Sequence, residues 1–353
     1  MLTRLPGFTD VHVHLREPGA THKEDWDTGT TAALAGGFTT VLAMPNTNPA
    51  IINAASLEMS LSAAKNKTRC DYAQYIGGGL ENADVASKLS SKVAGLKLYL
   101  DQTYGDLKLD DMVTWTPHFA AWPKQAPLCV HAEGKTLAAA ILFASLHDRP
   151  IHLCHVSRRE EILLIRAAKE KGLPVTCEVC PHHLYLTEED LPAIGPGRGE
   201  VRPRLATKKD QAALWANLDV IDCFATDHAP HTLTEKDSED PPPGFPGLET
   251  ILPLLLSSVK EDRLTLDDII ARLHYNPTRI FAIPPQPDTY VKVDLNATYE
   301  VRAANLHSRC GWTPFEGWKV TGRVQSVTLR GQLAYKDGEV LAKPGTGKNI
   351  RTH

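Results

Sequence analysis

Eight short apolar runs, spaced along the first two thirds of the chain, constrain its fold more than any other feature. They cover residues 8–15, 38–44, 70–76, 95–100, 127–132, 150–156, 174–180 and 220–227, and Gly, Pro or a polar turn bounds each one. Strands that are apolar along their whole length are buried on both faces, as in parallel sheets covered by helices. The segments between them have helical spacing. Residues 160–172, for example, read as an amphipathic helix ending at Gly172. Eight strands alternating with helices predict an α/β fold, a (β/α)8 TIM-type barrel.

The character changes after residue 285. Runs at 289–295, 324–331 and 332–341 look like antiparallel strands, and Asp337-Gly338 is a hairpin signal. We therefore expect a barrel over 1–285 and a small β-rich C-terminal segment over 286–353, packed on the barrel. Only MLTRLPG precedes the first strand. The C-terminal β segment is accordingly expected to be small or to pair with itself.

Several classes of protein are disfavoured. The formal net charge is -4 and no basic tract stands out, which argues against a nucleic-acid partner. No apolar run approaches the roughly 18 residues of a membrane-spanning helix. The seven cysteines are scattered and odd in number, as expected of reduced thiols in a cytoplasmic protein.

A barrel places its chemistry at the C-terminal ends of its strands. His12 and His14 end the first run, and Lys97 lies in the fourth. His131 and His155 end the fifth and sixth. Asp227 ends the eighth, followed by His228 and His231. Residues two apart on a strand share a face, so His12 and His14 point together into the barrel mouth. Alone, such a pair could be two polar residues on a half-exposed strand. With ligand types at the other strand ends, it reads as part of a metal site.

Lys97 is the unusual member. A buried ammonium without a partner is costly, so its pKa is expected to fall. A neutral amine beside metal ions can take up carbon dioxide as a carbamate, a bidentate anion able to bridge two metals. The ordinary alternative is a snorkelling or ion-paired lysine. Arg16, two residues past His14, faces the same cavity if the strand continues; otherwise it pairs with Glu17 or Glu24. Cys177 and Cys180 form a C-x-x-C, and the barrel context makes them packed thiols. His22, His118, His147, His152, His274, His307 and His353 have no partner in this pattern and are read as surface or satisfied structural residues.

In order and spacing, His12-Val13-His14, Lys97, His131, His155 and Asp227 resemble the amidohydrolase superfamily. Within it, DVHVHLREPG (10–19), AMPNT (43–47), GLKLYL (95–100), CEVCPHHL (177–184), GEVRP (199–203), DCFATDHAPHT (222–232) and PPPGFPGLET (241–250) resemble the dihydroorotase domains of animal trifunctional pyrimidine-synthesis polyproteins. The resemblance implies reversible, zinc-dependent cyclisation of N-carbamoyl-L-aspartate to L-dihydroorotate. It puts one zinc on His12, His14, Lys97 and Asp227, and a second on carboxylated Lys97, His131 and His155. It puts a third metal position, present in some relatives, on Cys154, Glu178 and His183. Arg16, Asn46, Arg202 and His231 would bind substrate, with the backbone of Pro243 and Gly244, and Asp227 would carry the proton. The stretch 101–109 would be a mobile cover presenting Thr103 and Tyr104, where the family has phenylalanine at the second position. A homodimer, fused to other pyrimidine-pathway domains, is implied by the same resemblance. The competing readings are a hydantoinase, dihydropyrimidinase or allantoinase, and a non-catalytic scaffold.

Overall fold

A computed structural model describes residues 2–351; His353 lies outside them. The strands are β1 (Leu2–Pro6), β2 (Phe8–Val13), β3 (Phe38–Ala43), β4 (Asp71–Gln74), β5 (Ile76–Gly77), β6 (Leu96–Tyr99) and β7 (Leu128–His131). They continue with β8 (Ile151–Leu153), β9 (Val175–Val179), β10 (Cys223–Phe224), β11 (Tyr290–Glu300), β12 (Lys319–Leu329), β13 (Gln332–Lys336) and β14 (Glu339–Val340).

The barrel forms as the apolar runs predict. Strands β2, β3 and β4 pair side by side, and β5 through β10 form a second run of neighbours; all these pairings are parallel. β4 and β5 are one run interrupted at Tyr75, whose N–H still donates to Ala43 O at 2.9 Å. The seam closes through a parallel bridge between Val13 and His228, with His14 N–H donating to His228 O at 2.7 Å. Counting β4 with β5, eight strands surround the axis. Val11, Leu42, Ala73, Tyr75, Cys129 and Cys154, on successive strands or at their ends, form a separate buried cluster with Phe281 from the helical segment that follows the barrel strands, as in a packed barrel interior. The larger core lies between strands and outer helices. The helix Arg159–Glu170 shows the pattern: Ile162 and Ile165 are buried, and the chain leaves through Gly172 at φ 75°.

The second sheet differs from expectation at one edge. Its order is β1-β11-β12-β13-β14, so the N-terminal segment belongs to it. Leu2 to Pro6 run antiparallel to Asp294 to Tyr290. Leu5, Val291, Val293 and Val327 are all buried, and this shared apolar face explains why five residues suffice to hold β1. The β13–β14 turn is the expected hairpin: Asp337 and Gly338 take φ of 48° and 95°, the left-handed pair a tight two-residue turn needs.

Candidate metal and substrate site

Most of the expected groups meet in one cavity at the C-terminal mouth of the barrel. It is lined by His12, His14, Arg16, Asn46, Tyr99, Thr103, Tyr104, His131, His155, Arg202, Asp227, Ala229, Pro243 and Gly244. Lys97 lies fully buried among these strands. Arg16, His155 and Asp227 hold left-handed backbone at φ 59°, 34° and 45°. Such conformations cost energy for non-glycine residues and gather where function requires them.

Two groups of donor atoms converge. Asp227 Oδ1 lies 3.2 Å from His12 Nε2 and 3.0 Å from His14 Nε2. His131 Nδ1 lies 2.9 Å from His155 Nε2. Ligands about 2.0–2.1 Å from one zinc, set tetrahedrally, stand about 3.3 Å apart, so both spacings suit an ion. The far nitrogens, His131 Nε2 and His155 Nδ1, are buried without a hydrogen-bond partner, so no hydrogen bond to a further protein group fixes either ring from behind. Metal ligands must be unprotonated. Burial holds His14 down at about 4 and His131 at about 3, and pushes His155 well below the usual imidazole range. Burial opposes ionisation of Asp227, but His12, then His14, hold its carboxyl well below its ordinary value. The donor set fits a metal cofactor.

Lys97 departs from one expectation. Burial lowers its ammonium, yet Cys154, then Glu178, raise it, and it stands above its usual value. Its Nζ donates to Cys154 Sγ at 3.0 Å. The amine thus has a buried partner instead of standing free.

The third position must be redrawn. Cys154 and Glu178 group with His12, not with His183. His12 Nδ1 hydrogen-bonds Glu178, which His152 Nε2 also contacts at 3.1 Å. His183 sits on the short helix Pro181–Tyr185, after β9 has ended, and groups with Cys180 and His182. Strand alternation no longer governs its direction, and its Nε2 donates to Pro203 O at 3.1 Å. Cys177 is a packed thiol, as expected.

On the other side of the cavity lie groups suited to an anion. Arg16 Nε donates to Pro230 O at 3.0 Å, and its Nη2 is 3.0 Å from His231 Nε2. Glu17 pairs with Lys67, and Glu24 is engaged by His228, Ser308 and Arg309, so neither takes Arg16. Asn46 spans His14 Nδ1 at 2.7 Å and Tyr104 O at 2.9 Å. Arg202 Nη1 pairs with Glu200 at 2.7 Å. Gly244 has φ 147°, and a Cβ there would stand 2.4 Å from Ala229 O, so only glycine fits. Its N–H donates to Glu200 O at 3.0 Å, so among its backbone polar groups the carbonyl remains to face a ligand.

Thr103 and Tyr104 come over the mouth. The Tyr104 ring stands 5.1 Å from the His231 ring and 5.0 Å from the Arg16 guanidinium, not on a helix. Tyr99, Lys23 and Lys236 were not foreseen. Tyr99 was legible, since it is two residues from Lys97 on one strand; the two lysines leave no such trace.

A (β/α)8 barrel whose strand ends carry this donor set defines a cyclic amidohydrolase. The family model described as "Dihydro-orotase-like" matches residues 3–99. The dihydroorotase of Pyrococcus furiosus is 35% identical over 357 residues, covering 96% of this chain and 83% of that protein. The multifunctional protein CAD of Squalus acanthias is 57% identical over 350 residues, 99% of this chain but 16% of that protein. The inactive dihydroorotase-like domain of the Chaetomium thermophilum CAD-like multifunctional protein superposes with TM-score 0.85 at 31% identity, covering 99% of each chain. The chain belongs to the dihydroorotase family. It spans about one sixth of the length of its multifunctional relative.

Proposed function

We propose that this chain interconverts N-carbamoyl-L-aspartate and L-dihydroorotate, using zinc held by His12, His14, Lys97, Asp227, His131 and His155, with Lys97 carboxylated. The observation that carries the substrate choice is Arg16. Its side chain is buried, and no carboxylate pairs with it among the described residues. A buried guanidinium without a counter-charge is costly, and the carboxylate of dihydroorotate supplies one. Asn46 and His231 flank it.

Bound zinc would polarise the ring amide carbonyl and lower the pKa of water from about 15.7 to about 7. Asp227, held ionised, takes the proton of the attacking water and delivers it to the leaving ring nitrogen. In cyclisation it removes a proton from the ureido nitrogen instead. Arg16, Asn46 and His231 orient the carboxylate, Arg202 and the Pro243–Gly244 backbone border the ring, and Tyr104 covers the mouth. His12, Cys154 and Glu178 would hold any third ion. We also propose that residues 1–285 form the catalytic unit and that it works in the cytoplasm as a homodimer joined to other pyrimidine-pathway domains. Among the described residues, no helix is long and apolar enough to cross a membrane.

The scaffold alternative has a specific counterpart in the inactive Chaetomium domain. Against it, this chain keeps all six ligand positions. The hydantoinase and dihydropyrimidinase alternatives lack a reason for a buried Arg16. Comparing dihydroorotate with dihydrouracil decides: dihydroorotate should be turned over faster, and the reverse would overturn the choice.

A further inference from the structure

Lys23 lies outside the groups assigned to the metals and substrate, yet it is 4% exposed and reaches the substrate side of the cavity. Its Nζ meets Glu235 Oε1 at 2.9 Å, His231 Nδ1 at 3.0 Å and the Tyr104 hydroxyl at 3.4 Å. An ammonium has three N–H donors and no acceptor, and here it meets three acceptors.

This contact decides the protonation of His231. Three neighbours surround the ring: Lys23 at Nδ1, and both Arg16 Nη2 and Pro243 O at 3.0 Å from Nε2. With the proton on Nε2, Lys23 donates to Nδ1 and Nε2–H donates to Pro243 O; only Arg16 is unmatched. With the proton on Nδ1, both Lys23 and Pro243 O are unmatched. The imidazolium would face two cations. The first arrangement satisfies the most contacts. It leaves Arg16 Nη2 and His231 Nε2 as two donors 3.0 Å apart; a carboxylate oxygen entering beside them would accept from Arg16 and take the Nε2–H over from Pro243 O, or share it.

We infer that Lys23 is a positioning residue: it fixes His231 as the Nε2–H tautomer so that this nitrogen donates to the substrate carboxylate, and it latches the covering loop through the Tyr104 hydroxyl. Glu235 holds Lys23 in place. The inference rests on the carboxylate-binding reading above. It adds that this recognition depends on a lysine that touches no substrate atom and that the same ammonium ties loop closure to the recognising imidazole.

The test compares wild type, Lys23→Met and Lys23→Gln in the full chain with metal bound. The readouts are kcat/KM for dihydroorotate and for dihydrouracil, and histidine-selective 15N NMR of the His231 ring, assigned with His231→Asn. Wild type should show Nδ1 bare and Nε2 protonated. Lys23→Met should reduce the preference for dihydroorotate at least about tenfold, the value of one hydrogen bond to a charged group. Lys23→Gln, which keeps an N–H donor, should recover most of it. Wild-type preference retained in Lys23→Met, or equal loss in both variants, would overturn the inference alone. A wild-type enzyme without the preference would sink the dihydroorotase reading and the inference with it. A proton on Nδ1 in wild type overturns the inference even if the variants fail to fold.

Discussion

His131 Nδ1 and His155 Nε2 face each other at 2.9 Å, and the far nitrogen of each ring is buried without a partner. Two neutral imidazoles gain little from that contact beyond one hydrogen bond, whereas two ligands of one ion need it. The rings come from adjacent strand ends, β7 and β8. Lys97 stands one strand away on β6.

Replacing Lys97 tests whether that ion is shared. Lys97→Ala removes the only lysine inside the ligand group. It should lose bound metal and nearly all turnover, measured as zinc per chain beside activity. Two zincs with normal turnover would show that Lys97 is no bridge.

Asp227 is asked both to bind and to carry a proton. Asp227→Asn keeps the size and one oxygen but not the proton acceptor. General acid–base catalysis is worth about 10²–10⁴-fold, and turnover should fall by at least that much with metal largely kept. A variant within a few-fold of wild type would remove Asp227 from proton transfer.

The Tyr104 hydroxyl has a partner, so covering the site is not the work of the ring alone. A net hydrogen bond contributes about 0.5–1.5 kcal/mol, and the 3.4 Å separation from Lys23 is at the long end. Tyr104→Phe should therefore cost roughly two- to tenfold in turnover. Tyr104→Ala and Thr103→Ala should cost more while metal content and melting temperature change little. A Tyr104→Ala protein that melts early but turns over normally would make the residue part of the core.

Lys236 gives a pH signature. Its fully buried Nζ donates to Glu200 O at 2.6 Å and Pro242 O at 2.9 Å, holding the loop that carries Pro243 and Gly244. Burial pulls it down to about 7, Glu200 raises it, and Arg16 and Arg202 lower it. Between about 7 and the usual lysine value the unfolded chain binds the proton and the folded chain does not. Stability should thus fall as pH drops through that window, by about 1.4 kcal/mol per unit, and level off below it. Denaturant titrations should show this slope in wild type and not in Lys236→Met. Parallel curves would contradict it.

The strands and the convergence of the donor residues were legible because both obey local rules. Apolar runs marked the barrel strands, and the alternation of a strand put His12 and His14 on one face. What the sequence hid depends on contacts distant along the chain. β1 pairs with β11 nearly 290 residues away, and five residues carry no periodic signal. Lys23 reads as an ordinary surface lysine until folding brings Glu235 and His231 against it. His183 entered the third metal position only through the family resemblance; it lies on the short helix after β9 has ended, where its Nε2 meets Pro203 O instead.

The central claim is that this chain, unlike its inactive Chaetomium counterpart, is a metal-dependent catalyst. The direct measurement is cyclisation of N-carbamoyl-L-aspartate by the purified chain, with zinc determined on the same sample before and after chelation. The account predicts about two or more zincs per chain, with dihydroorotate formation that is abolished by chelation and restored by zinc. A folded chain that binds no zinc and forms no dihydroorotate would contradict it.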